Sequence, residues 1–184
     1  MNFFPQFISD VILIEPTVYA DERGYFFETF KHDVFEKSIE TNVNFVQDNE
    51  SQSFKGVLRG LHYQIPPFDQ SKLVRVIQGR VLDVAVDIRR NSKTFGQHIA
   101  VELSSENKLQ LFIPSGFAHG YIVLSESAIF AYKVDSFYSS SHDRGIAYDD
   151  PELDINWKLP SSQIKSSDKD KKHPNLQDAL DLFE

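Results

Sequence analysis

Runs of alternating apolar and polar residues dominate this chain, and they predict strands. Residues 73–77 (Leu-Val-Arg-Val-Ile) and 81–88 flank Gln78-Gly79, the pattern of a hairpin. In the second run Leu82, Val84, Val86 and Ile88 share one face, while Asp83 and Asp87 share the other. Further strands are predicted over 98–103, 109–113, 118–124 and 128–134, with turn residues between them at short intervals, as in a β-sandwich or barrel. Upstream, 11–20 reads as a strand broken at Pro16, Asp21-Glu22-Arg23-Gly24 as a turn, and 24–30 as an aromatic strand with Glu28 inside it. Glu28 is there either a solvated edge residue or a ligand-facing one. Helical spacing occurs at 32–39, through Val34, Phe35 and Ile39, and again at 176–183, through Leu176, Leu180 and Phe183. The second stretch closes a Lys/Asp/Ser-rich tail, about 158–184, which is either a loose end or a helix docked on the strands. The expectation is one mainly β domain over 1–184, with its β core at about 11–135.

Composition narrows this picture. The 184 residues fit a single domain with a substantial core, and sixteen Phe suit aromatics packed between sheets. The absence of cysteine excludes disulfides, thiol chemistry and thiolate metal sites. A net charge of −8 argues against a nucleic-acid surface, so an anionic ligand must be held by a few focused cations. No segment approaches the length of a membrane span, and Met-Asn-Phe-Phe-Pro has neither a basic start nor a long apolar run, so a cytoplasmic protein is expected.

The chemistry concentrates in Gly56-Val-Leu-Arg-Gly-Leu-His-Tyr-Gln64, followed by Lys72. Strict alternation would put Arg59 and His62 on opposite faces of a strand. Either they serve different surfaces, or Gly60 marks a bulge that turns both toward one pocket; the bulge is the favoured reading. A guanidinium suits phosphate and an imidazole suits proton abstraction near neutral pH. Together they suggest a phosphorylated substrate that loses a proton. On this reading His62 is the base, Asp170 a carboxylate partner that raises its basicity, Lys72 the cation at a developing oxyanion, and Tyr132 the returning acid. Spacing alone does not assemble these groups. Taken singly, each is more simply a structural histidine, a core tyrosine or a solvated charge run. Gln47 and Asn49, two apart on a strand, either contact a ligand or cap a turn.

Pro114-Ser-Gly-Phe-Ala-His119-Gly120 resembles the second metal motif of cupins, but Gln64 stands where a first motif wants its second histidine. The fold signal survives and the metal signal does not. A wider match is more specific. Arg23-Gly24-Tyr-Phe-Phe-Glu28, Gln47-Asp-Asn49, the 56–64 stretch, Lys72-Leu-Val-Arg-Val, Ile113-Pro-Ser-Gly-Phe-Ala-His-Gly-Tyr121, Tyr132-Lys133, Arg144-Gly-Ile146, Asp149-Asp-Pro, 153–157 and Lys169-Asp170 resemble, in order, the motifs of dTDP-4-dehydrorhamnose 3,5-epimerases.

The resemblance implies a cupin-type jelly roll (double-stranded β-helix) with a short N-terminal helix and a C-terminal helical tail. It implies a homodimer that uses neither cofactor nor metal and binds a dTDP-linked sugar. His62, paired with Asp170, would accept the proton and Tyr132 donate one, with Lys72 at the C4 carbonyl. Arg23, from a partner subunit, and Arg59 would hold the diphosphate. Phe26, Glu28, Gln47, Asn49, His119, Asp143 and Lys169 would line the substrate site, and Tyr138 would stack on thymine. Three positions depart from the pattern: Asp143 stands where a Glu is expected, Tyr148 where Trp is frequent, and Lys171-Lys-His-Pro-Asn where many members carry small residues. The alternative is a C3-only or C5-only epimerase acting on a related nucleotide-linked 4-keto-6-deoxyhexose.

Overall fold

The computed structural model describes residues 1–39 and 41–184. Among the described residues, thirteen strands and one α-helix are joined by short connections, and two large antiparallel sheets pack face to face. The first is ordered β1 (Asn2–Pro5), β2 (Ile12–Glu15), β10 (Gln110–Ile113), β7 (Lys72–Gln78), β12 (Ser127–Val134) and β5 (Gln47–Phe54). The second is ordered β13 (Asp143–Gly145), β6 (Leu58–Gln64), β11 (Phe117–Val123), β8 (Arg80–Asp87) and β9 (His98–Ser104). A two-stranded ribbon, β3 (Tyr19–Asp21) with β4 (Gly24–Phe26), stands apart from both. This is the expected jelly roll.

Three apolar layers hold it. Between the sheets lie Val74, Val76, Leu111, Ile113 and Phe130 from one side and Val81, Ala85, Leu103, Phe117 and Tyr121 from the other. Outside the first sheet, the helix α1 (His32–Ile39) lays Phe35 and Ile39 on Ile12, Ile14, Leu73 and Phe112. Phe35 packs against Phe30, Phe45 and Phe112 at ring-centroid separations of 5.2–5.5 Å, which accounts for part of the phenylalanine count. Outside the second sheet, Leu153, Trp157, Leu176 and Ala179 of the C-terminal segment cover Leu61, Leu82, Val84, Val86 and Ile122. Burial of a side chain such as Leu176 is worth about 1.5–3 kcal/mol, so a few such anchors hold a polar tail in place.

Three expectations change. The 73–88 hairpin is a sheet switch: β7 pairs with β10 and β12, and β8 pairs with β11 and β9. Gly79, at φ +80°, makes the corner. The alternation in β8 is real, but both faces are buried, Asp83 and Asp87 included. The aromatic strand ends at Phe26, and Phe30 turns away to join the cluster around Phe35. The tail contains no α-helix among the described residues. It has 3-10 turns at Ser161–Gln163, Asp170–Lys172 and Leu176–Asp178. Leu180, which helical spacing would bury beside Leu176, is 91% exposed.

The bulge at Gly60 is present. Across β6 and β11, His62 pairs with His119 and Arg59 with Tyr121, so three steps on one strand match two on the other. Gly60 has φ +144°, and a Cβ there would sit 2.5 Å from the Gly120 Cα. Gly60→Ala is expected to cost about 3 kcal/mol, from backbone strain plus overpacking. Urea unfolding measures this, and a loss below about 0.5 kcal/mol would mean that the bulge tolerates a side chain.

Candidate active site

Where the apolar filling between the sheets stops, a cavity of about 590 Å³ opens. Its walls come from both sheets. Strands β6 and β11 carry Arg59, His62, His119 and Tyr121, while β5, β7 and β12 carry Ser51, Lys72, Phe130 and Tyr132. Tyr138, Asp143, Lys165, Lys169 and Asp170 complete the rim. The Gly60 bulge thus turns Arg59 and His62 into one pocket. Four cationic side chains (Arg59, Lys72, Lys165 and Lys169) face it against two carboxylates, Asp143 and Asp170. In a chain of net charge −8, that is the focused cation set an anionic ligand requires.

His62 Nε2 donates to Asp170 Oδ1 at 2.8 Å, across 108 residues of sequence. Burial pushes the Asp170 carboxyl up, but the bond to His62 and its charge outweigh that and hold it below its ordinary value. Asp170 also accepts local support, since its backbone N–H donates to Ser167 Oγ at 3.1 Å. The tail therefore supplies half of a carboxylate–imidazole pair. Its docking is secured by the backbone exchange of Lys165 with Gly56 and Leu58, at 2.8 and 2.9 Å.

Lys72 opens β7, is buried, and donates from Nζ to the His62 carbonyl at 3.3 Å. Burial lowers its ammonium to about 8, against the opposing pull of Asp143 and Asp83. Tyr132 faces the cavity from β12, on the sheet opposite His62. Burial pushes its phenol up, so it is protonated at neutral pH. His119 is buried, and its Nε2 lies 3.0 and 3.1 Å from the two Asp83 oxygens. Burial nonetheless lowers it below the ordinary imidazole value. Asp83, read from sequence only as a face of β8, is its anchor.

The family model described as dTDP-4-dehydrorhamnose 3,5-epimerase matches residues 5–178. The chain belongs to the dTDP-4-dehydrorhamnose 3,5-epimerase family. It is 53% identical over 170 residues to the enzyme of that name from Shigella flexneri, covering 92% of this chain and 93% of the relative. It is 52% identical to that of Pseudomonas aeruginosa, over 94% of each chain. A dTDP-6-deoxy-D-glucose-3,5-epimerase from Legionella pneumophila, solved with dTDP-4-keto-L-rhamnose, superposes with a TM-score of 0.94 at 48% identity, over 97% of this chain and 94% of that one. A 3'-monoepimerase from Streptomyces bikiniensis, solved with dTDP-quinovose, superposes at 0.86 with 30% identity, over 94% and 87%.

Within this epimerase chain, His62, Lys72, Tyr132, Asp170, Arg59, His119, Tyr138, Asp143 and Lys169 all line the one cavity. Lys169 pairs with Asp143, which raises the Lys169 ammonium, and Tyr138 donates to the same carboxylate at 3.1 Å. The shorter Asp143 therefore reaches its neighbours without the extra methylene of Glu.

Arg23, Phe26, Glu28, Gln47 and Asn49 do not line that cavity in a single chain. Arg23 lies in the turn of the β3–β4 ribbon against Asp21, with its side chain 85% exposed. Phe26 and Glu28 are also exposed. Gln47 donates to Asn49 Oδ1 at 2.8 Å and accepts from the Tyr138 backbone at 3.3 Å, so it ties β5 to the segment carrying Tyr138. Sequence reasoning missed Lys165 and Tyr121. Lys165 reads as one more solvated lysine in a polar tail. Tyr121 was quoted only as the end of a motif, yet its hydroxyl meets Ser51 Oγ at 2.9 Å inside the pocket.

No helix among the described residues is long and apolar enough to cross a membrane.

Proposed function

We propose that this chain epimerises dTDP-4-dehydro-6-deoxy-D-glucose at C3 and C5, giving dTDP-4-dehydro-β-L-rhamnose. The observation that carries the mechanism is the placement of an imidazole and a phenol on opposite sheets, facing one cavity. A sugar ring held between them presents one face to each.

The chemistry follows from the substrate. C3 and C5 both flank the C4 carbonyl, so either C–H is acidified. His62 removes one proton, and the C–H electron pair moves into the ring to place negative charge on the C4 oxygen. The Lys72 ammonium stabilises that charge. Tyr132 then delivers its proton to the opposite face, which inverts the carbon. The imidazolium loses its proton to solvent, and the phenolate regains one from it. Both groups are then reset for the second carbon once the sugar re-seats. Asp170 keeps His62 in one tautomer and fixes the orientation of its ring. Acidity comes from the carbonyl, so the reaction calls for no cofactor.

Arg59, held by Ser53 at 3.0 Å, and Lys169 suit the diphosphate, and the exposed Tyr138 ring suits the thymine. We assign Arg23 to the site of a second copy of the chain. It rides on a ribbon whose Tyr19, Tyr25 and Phe26 are all exposed, as a dimer contact would require. A nucleoside diphosphate is too highly charged to cross a bilayer unaided, so the reading places the enzyme in the cytoplasm.

The test is turnover of the 4-keto sugar nucleotide in deuterated water, followed by NMR. Deuterium at both C3 and C5 is expected. Label at one carbon alone would instead mark a mono-epimerase, and label at neither would refute the assignment.

Lys72 adds a pH dependence. Its ammonium is the active form and is lost as pH rises through about 8, so kcat/KM is expected to fall above that value. Lys72→Met should lower the rate and flatten the alkaline limb. A limb near pH 8 that persists in the variant would assign the titration to another group.

A further inference from the structure

We propose that His62, Asp170 and His173 form a zinc site whose occupation switches the enzyme off. Each residue offers one ligating atom, and the three atoms lie within 4.8 Å of one another. Among the described residues this is the only such group of three. Two imidazoles and a carboxylate are a zinc set with a fourth position open to water; magnesium and calcium call for oxygen ligands.

His173 has no part in the proposed reaction. It falls in the Lys171-Lys-His-Pro-Asn segment of the polar tail. Its ring stands perpendicular to that of His62, with centroids 5.5 Å apart. The ring is seated over Gly145, the register partner of His62, where any Cβ would collide with it.

The second observation is independent of the cluster. His173 Nδ1 is the one buried side-chain nitrogen or oxygen, among the described residues, that has no hydrogen-bond partner. A buried imidazole nitrogen without a partner is rare and asks for one. A tetrahedral zinc with nitrogen and oxygen ligands sets them about 3.3 Å apart. The His62–Asp170 edge is 2.8 Å and no edge of the trio exceeds 4.8 Å, so the set spans that spacing. An ion can approach from two sides. His62 lines the main cavity, and His173 lines a surface cleft with Asp143 and Lys169.

The site and the proposed catalysis are mutually exclusive. Ligation replaces the proton shared by His62 and Asp170, which leaves to solvent, and the imidazole lone pair goes to the metal. An imidazole so held cannot serve as a proton acceptor tuned by Asp170. The inhibition rests on the epimerase reading given above; the binding does not.

The experiment is calorimetric titration of chelator-treated full-length protein with zinc chloride, beside an activity assay in the same buffer. His173→Phe and His173→Ala are run in parallel, with circular dichroism to verify their fold. Wild type is expected to bind one zinc per chain and lose its activity as the site fills. Both variants should keep their metal-free rate, bind zinc at least about tenfold more weakly, and stay active at zinc concentrations that silence wild type. Absence of one-to-one binding to wild type, or equal affinity in a folded variant, overturns the proposal. Zinc binding that depends on His173 in a protein that fails to turn over the sugar would support the site and sink the epimerase reading instead.

Discussion

His62→Asn will lower turnover by about a thousandfold, which is about 4 kcal/mol of transition-state stabilisation. Asparagine keeps a polar group in the pocket but cannot accept a proton from carbon. Binding should change little, because the diphosphate and the base are held by Arg59, Lys169 and Tyr138 on the rim. The signature is therefore a collapse of kcat with KM within a few-fold of wild type. Deuterium wash-in at C3 and C5 should disappear together, since one base serves both carbons. Asp170→Asn supplies the graded control. It leaves the imidazole in place but removes the carboxylate acceptor 2.8 Å from Nε2, so the tautomer and ring orientation are no longer fixed. Its loss should fall between wild type and His62→Asn. Retention of more than a tenth of wild-type turnover by His62→Asn would move the base elsewhere.

That site is legible in the sequence only in part, and the reason is distance along the chain. The strand carrying Arg59 and His62 could be read with its bulge, because Gly60 breaks an otherwise regular alternation. The Asp170 partner lies in a stretch that reads as a solvated charge run, and spacing cannot pair it with a strand 108 residues away. It was found through the ordered motifs. Local pattern also failed where both sides of an element are covered. The 73–88 stretch carries every mark of a hairpin, but hairpin and sheet switch share the same alternation. What separates them is which strands lie beside β7 and β8, and that is tertiary. At 176–183 the apolar spacing matched a helix. The tail instead buries Leu176 and Ala179 on the second sheet and leaves Leu180 in solvent. Anchors that dock one at a time need no common helical face.

Tyr132→Phe should separate two events that wild type couples. Of the four tyrosines that line the cavity, Tyr121 and Tyr132 stand on its facing walls, and their surroundings distinguish them. Tyr121 stacks on Phe130, at 4.1 Å between centroids, and its hydroxyl meets Ser51 at 2.9 Å, so its role is to shape the wall. Burial pushes the Tyr132 phenol up, so it carries its proton at neutral pH. Removing its hydroxyl leaves His62 and Lys72 intact, so carbon–hydrogen cleavage continues at a reduced rate. The enolate then has a proton source on one face only, the imidazolium that has just formed. Once that imidazolium has exchanged its proton with D2O, return from its side regenerates the original configuration, and deuterium enters without inversion. Inversion should drop by about a hundredfold or more, while exchange drops less, so the ratio of exchange to inversion rises at least about tenfold. Tyr121→Phe should shift neither rate by more than a few-fold. Parallel loss of exchange and inversion in Tyr132→Phe would mean that the phenol assists deprotonation itself, and the division of labour between the two sheets would have to be redrawn.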